Sequence, residues 1–250
     1  MIQVGSLFSG IGGFDLGLER SFKKHSIDCK IAWQVEIDEY CKKILRKHWP
    51  GTKIYSDVRD ITKNNVSHVD ILIGGFPCQD LSVAGKQRGI HGKKSGLWWE
   101  MFRIIGELRP RIVVLENVPN IIRVGGRSVV GSFTSIGYDS EWTIISARQF
   151  GAPHLRKRWF LVAYPNSERS QEQPNITKSM EQKRFFKCGD GQKNGLYFGN
   201  NWEKGTSESP LCSVDDGIPD RVARLRALGN AIVPQCSEWV FDQVIKSGLL

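Results

Sequence analysis

The sequence predicts an α/β protein built on a mostly parallel sheet, and three observations point there. Short apolar runs alternate with longer amphipathic ones from residue 1 to 163, as in chains of β-α units. Gly-rich or polar loops separate those runs. After Pro165 the pattern gives way to a polar stretch with no sustained period, which marks a different module. With 250 residues, 40% of them hydrophobic and 24% charged, the chain has enough apolar material for one substantial core and resembles neither a disordered nor a membrane protein.

The elements follow in order. Residues 2–8 read as a first strand, and residues 14–26 as a helix carrying Phe14, Leu16, Leu18 and Phe22 with charges between them. Residues 31–35 form a second strand, and an acidic cap at Asp38 starts a helix over 38–48. A strand over 69–74, a helix over 97–109 ended by Pro110, and a strand over 112–116 come next. Strands over 142–146 and 159–164 close the set. Residues 166–215 are rich in Ser, Asn, Gln, Gly, Lys and Glu, and the chain then regains order as two helices, 220–228 and 234–245, around Gly229 and Asn230. Three segments result: 1–165, 166–215 and 216–250.

Lys and Arg exceed Asp and Glu by 35 to 26, a net charge of +9 that suits a polyanionic partner. The six cysteines are widely spread with no C-x-x-C pair, so reduced thiols are expected, with neither a zinc ribbon nor a disulfide framework. No apolar run approaches the roughly 20 residues that span a bilayer, and the start lacks a charged leader, so a cytoplasmic protein is expected.

The first strand runs into Phe8-Ser9-Gly10-Ile11-Gly12-Gly13-Phe14, a turn that lets backbone approach a nucleoside. In G-x-G-x-x-G register the third glycine falls at Asp15, so a dehydrogenase pyrophosphate cradle is not predicted. Glu36, ending the second strand, is placed to accept ribose hydroxyls of an adenosine-containing cofactor. The strand ending at Gly74-Gly75 leads into Phe76-Pro77-Cys78, which sets a thiol at the carboxyl edge of the sheet, where a turn's amides and Arg156 or Arg158 would lower its pKa. Glu116 ends a further strand at that edge. A zinc deaminase also places Pro-Cys at its site, but Leu81 stands where its second cysteine belongs and no histidine is followed two residues later by Glu.

Phe8 to Phe14, Pro77-Cys78, Glu116-Asn117-Val118-Pro119, His154-Leu155-Arg156-Lys157-Arg158 and Gly229-Asn230-Ala231-Ile232-Val233-Pro234-Gln235 occur in this order, and together they resemble the cytosine-C5 DNA methyltransferase family over almost the whole chain. The resemblance implies a Rossmann-like catalytic domain, a small irregular target-recognition region inserted before the C-terminal helices, S-adenosylmethionine as cofactor, and double-stranded DNA as partner. It assigns Phe8, Gly10, Ile11 and Gly13 to the cofactor loop, Glu36 to the ribose, Ile37 to the adenine face and Asp57 to the adenine amino group. Pro77, Leu97, Asn230 and Ala231 complete that pocket. Cys78 becomes the nucleophile, adding at C6 of a flipped-out cytosine so that C5 can take the methyl group. Glu116 would bind N3 and N4, Arg158 the O2, and Arg156 would order the site and favour the thiolate. Residues 79–95 resemble a mobile catalytic loop, with Gln79, Ser82, Lys86 and Arg88 meeting DNA.

The chain departs from the family at His154, where Gln is usual, and in the shortness of residues 166–215, whose seven basic and seven acidic side chains leave the excess charge in the catalytic half. A C5 methyltransferase acting on RNA is the rival within the enzyme class, and an inactive binding module the rival outside it. Retention of Cys78, Glu116, Arg156 and Arg158 argues against the second. A monomer without a metal is expected.

Overall fold

A computed structural model describes residues 1–77, 96–166 and 221–250. Seven strands form one sheet in the order β3-β2-β1-β4-β5-β7-β6: β1 (Ile2–Leu7), β2 (Cys29–Val35), β3 (Lys53–Tyr55), β4 (Ile71–Gly74), β5 (Ile112–Asn117), β6 (Tyr138–Ser146) and β7 (Lys157–Pro165). The first five run parallel, and β7 lies antiparallel between β5 and β6. The chain steps outward from β1 to β3, then returns to lay β4 on the other side of β1. That reversal opens a crevice at the carboxyl ends of β1 and β4, where open α/β sheets bind ligands.

Both faces of the sheet are covered at its centre, so β4 and β5 are buried on both sides. Leu7, Trp33, Val35, Leu72, Val113, Leu115 and Leu161 face one layer of helices, α3 (Leu97–Leu108) and α5 (Gly126–Ser135). Val4, Ile31, Ile71, Ile73, Val114 and Phe160 face the other, α1 (Gly13–Lys24) and α7 (Pro234–Lys246). The remaining helices are α2 (Glu39–His48), the short α4 (Ile121–Val124) and α6 (Arg221–Asn230). α1 packs tightly on α7 at Gly17, where an added Cβ would lie 2.4 Å from the Pro234 carbonyl oxygen.

Local signals explain the predicted boundaries. The Asp38 side chain accepts from the Cys41 amide at 3.1 Å and caps α2, and Pro234 occupies the first turn of α7, where its missing N–H costs nothing. The sequence reading missed β3, α4 and α5. The last of these, GRSVVGSFTS, has two glycines and three serines among its ten residues, so propensity opposes a helix there. Burial of Val129 and Phe133 against the sheet overrides it. β6 is also longer than expected, starting at Tyr138 because its pairing with β7 extends to Pro165.

Candidate active site

Four segments deliver polar groups to one edge of the sheet: the turn after β1, the end of β2, the exit from β4 and the end of β5. β7 adds a fifth from the opposite direction. Because it runs antiparallel, its first residues rather than its last reach that edge, with Asn117 facing Trp159 and Arg158 one step beyond.

The turn after β1 uses left-handed backbone at Phe8 (φ 55°), Gly10 (φ 57°) and Gly12 (φ 81°). A Cβ added at Gly10 would meet nothing within 4 Å, so the missing side chain leaves open space above the turn. Gly13 is glycine for a different reason: its Cβ would lie 2.3 Å from the Ile232 carbonyl oxygen. The Glu36 carboxylate accepts from the amides of Gly10 at 2.7 Å and Asp38 at 2.8 Å, which fixes it beside the turn and leaves lone pairs for further donors. Ile37 beside it is 69% exposed.

Glu116 is buried at the end of β5, and its Oε1 lies 2.7 Å from Arg158 Nε. Burial pushes its carboxyl up to about 7, against the opposing pull of Arg158 and Arg156. Its neighbour Asn117 donates to the Phe76 carbonyl at 3.3 Å, tying β5 to the β4 exit two residues before Cys78. A Cβ on Gly75 would come within 2.9 Å of Glu116 Oε2. Arg156, held at φ 27°, donates to the carbonyls of Gly229, at 2.9 Å, and Ala231. The basic segment is thereby fastened to the turn between α6 and α7.

Ala231 and Ile232 form a wall between two spaces. One is a narrow gap of about 40 Å³ bounded by Phe8, Gly10, Gly75, Glu116 and Asn230. The other is a cleft of about 720 Å³ with His154, Arg156 and Arg158 on one side and Ile11, Trp49 and Val233 on the other.

The structure thus brings Phe8, Gly10, Ile11, Gly13, Glu116, Asn230 and Ala231 together, with Arg156 and Arg158 alongside. Glu36 joins them through the Gly10 amide. Asp57 caps a short 3₁₀ turn (Val58–Asp60), where Arg59 holds its carboxylate below the ordinary range. Leu97 begins α3 and packs against the core, and Pro77 is half-buried at the end of the β4 exit. Cys78, Gln79, Ser82, Lys86 and Arg88 lie outside the described residues, as does all but the first residue of the 166–215 segment. Cys29, Cys41 and Cys236 are described, and burial pushes their thiols up to about 11, 12 and 12, which disfavours the thiolate. Sequence reasoning missed Gly75 and Ile232 as parts of the site, since neither carries chemistry of its own.

Among the described residues no group of three or more His, Cys, Asp or Glu is placed to hold a metal ion, and no helix is long and apolar enough to cross a membrane.

Comparison with known proteins identifies the family. The family model described as C-5 cytosine-specific DNA methylase matches residues 2–205. The chain is 38% identical over 170 residues to the type II methyltransferase M2.BsuMI of Bacillus subtilis, covering 65% of this chain and 42% of that protein. It is 30% identical over 237 residues to M.CviJI of Paramecium bursaria Chlorella virus IL3A, covering 94% and 57%. The chain therefore spans about half the length of these relatives. Among solved structures, the Entamoeba histolytica methyltransferase EhMeth shares the fold at a TM-score of 0.58 and 22% identity, covering 69% of this chain and 56% of that one.

Proposed function

The chain belongs to the C-5 cytosine-specific DNA methylase family, and from that premise we propose that it transfers a methyl group from S-adenosylmethionine to C5 of cytosine in double-stranded DNA. The observation that carries the reading is the buried Glu116 carboxyl, poised near neutrality against Arg158, at the same sheet edge as the glycine turn and the strand exit that leads to Cys78.

The residues present fit the cofactor. Open space above Gly10, the anchored Glu36 and the exposed Ile37 form a cradle for a nucleoside. The gap bounded by Gly10 and Ala231 is too small for a nucleoside, so Glu36 and Ile37 outside it would hold the adenosine, and Asn230 and Ala231 would help hold the methionine end. Asp57, Pro77 and Leu97 would border it. The cofactor supplies the electrophilic methyl group, and the remaining chemistry falls to the chain.

Cytosine C5 is a weak nucleophile until a group adds at C6. The Cys78 thiolate forms that C6 bond, and the ring's electrons move toward N3 and C5. A protonated Glu116 stabilises them by donating to N3, which requires a carboxyl that keeps its proton near pH 7. Arg158 then leaves Glu116 to hold O2, while Arg156 keeps the Gly229 to Ala231 turn against the site. After methylation a solvent base takes the C5 proton, elimination breaks the C6–sulfur bond and restores the thiolate, and the N3 proton returns to Glu116. Gln79, Ser82, Lys86 and Arg88 would contact the DNA from which the base is rotated.

The test is transfer of labelled methyl from S-adenosylmethionine to duplex DNA and to tRNA, in parallel with Cys78→Ala. Label in 5-methylcytosine of DNA, abolished by the substitution, is the expected result. Label confined to tRNA, or none in either, would overturn the proposal.

A further inference from the structure

Asp15 is the third residue of α1, and the fold buries it completely. A carboxyl in such a place is costly unless its oxygens are bonded. The described groups acting on it are Gln34, Ser6, its own helix backbone and the acidic Glu19, with no cation among them. Ser6 and Gln34 are register partners on the adjacent parallel strands β1 and β2, so their side chains leave the sheet on the same side. Both reach Asp15: Ser6 Oγ lies 3.2 Å from Oδ2, and Gln34 Nε2 lies 3.0 Å from Oδ1.

The chain of contacts continues upward. Ser9 Oγ lies 2.9 Å from Ser6 Oγ and 3.1 Å from the Ser6 carbonyl, while the Ser9 amide donates to the Val35 carbonyl at 3.0 Å. Ser9 follows Phe8, whose left-handed backbone is costly for a residue with a side chain and persists only where surrounding contacts over-determine it. Gly10 in turn donates to Glu36, two residues beyond Gln34. The carboxyl beneath the turn is therefore linked, through two strands, to both groups on which a nucleoside would rest.

We infer that Asp15 is a positioning residue for the cofactor site: through Ser6 and Gln34 it fixes the carboxyl ends of β1 and β2, and with them the turn at residues 8–10 and the Glu36 carboxylate. This rests on the cofactor reading proposed above. Burial raises the Asp15 carboxyl to about 6 while its two side-chain hydrogen bonds oppose that rise, consistent with a group retained for its bonds rather than its charge. Gln34 Oε1 is buried without a hydrogen-bond partner, so an Asn amide at position 15 gains an acceptor if the Gln34 amide turns.

Calorimetric titration with S-adenosylhomocysteine, thermal melting and steady-state methyl transfer test the inference on wild type, Asp15→Asn, Asp15→Leu and Ser6→Ala. Asp15→Leu should raise the Kd, and the KM for S-adenosylmethionine, by about tenfold or more, and Ser6→Ala by about threefold, with kcat at saturating cofactor within about twofold of wild type. Asp15→Asn should bind within about threefold of wild type. Should Asp15→Leu not fold, Ser6→Ala carries the test. Variants whose Kd matches wild type, or that lose kcat only in step with a lowered melting temperature, overturn the inference and leave the cofactor reading intact. Failure of wild type itself to bind S-adenosylhomocysteine overturns the cofactor reading, and the inference with it.

Discussion

Arg158 Nε lies 2.7 Å from Glu116 Oε1, an ion pair between the start of β7 and the end of β5, its antiparallel neighbour, buried on the Glu116 side. Coulombic attraction and desolvation act on this carboxyl in opposite directions, and desolvation is the larger. The pair is held near its point of protonation, where a small change of surroundings decides its charge.

Glu116 should therefore make stability pH-dependent. Its folded value, about 7 against an ordinary 4.5, is raised, so its contribution is full below pH 4.5 and lost as pH rises through 7. The shift corresponds to about 3 kcal/mol between the two limits. Denaturant unfolding should show about 2 kcal/mol of this loss between pH 5.5 and pH 8.5, the rest falling below pH 5.5, and Glu116→Gln should reduce it. The same variant should lose about 100-fold or more in kcat, because an amide cannot supply the acid proton.

Removing the partner tests the opposing term. Breaking a buried pair commonly costs about 3–5 kcal/mol, because a charge is stranded. Here the carboxyl can take up a proton instead, and Arg158→Met raises its pKa further. The variant should be close to wild type in stability at pH 5.5 and fall behind it progressively by pH 8.5. A loss that is equal at both values would count against a titrating Glu116.

Arg156 reaches 73 residues along the chain to the Gly229 carbonyl and also bonds that of Ala231. Each hydrogen bond to a charged donor contributes about 1.5–3 kcal/mol. Arg156→Leu should speed hydrogen exchange at residues 229–233 by about tenfold or more while exchange in β1, β4 and β5 is unchanged. Uniform acceleration would mean global destabilisation and no local clamp.

Two glycines in α1 and its entry turn should answer differently to the same methyl group. At Gly17 an added Cβ meets Ser237 Oγ at 1.8 Å and the Pro234 carbonyl oxygen at 2.4 Å, so α1 and α7 must separate, and Gly17→Ala should cost about 1–3 kcal/mol or more by thermal melting. At Gly10 the methyl meets nothing, and the left-handed φ of 57° costs only about 1–2 kcal/mol. Gly10→Ala should instead weaken S-adenosylhomocysteine binding, since the methyl projects into the space above the turn.

The sequence alone determined what is local and periodic. Alternating strands and helices, the Asp38 cap, and the arrival of Glu36 and Glu116 at strand ends follow from neighbours within a few residues, and the ordered motifs identify the family because each carries its own short-range signature. Tertiary structure decided the rest. The direction of β7 rests on backbone pairing with β5, which no side-chain pattern encodes, and that direction puts Arg158 beside Glu116. The raised pKa of Glu116 and the burial of Asp15 are properties of surroundings assembled from distant segments, since desolvation is set by everything packed around a group and not by the residues next to it in the chain.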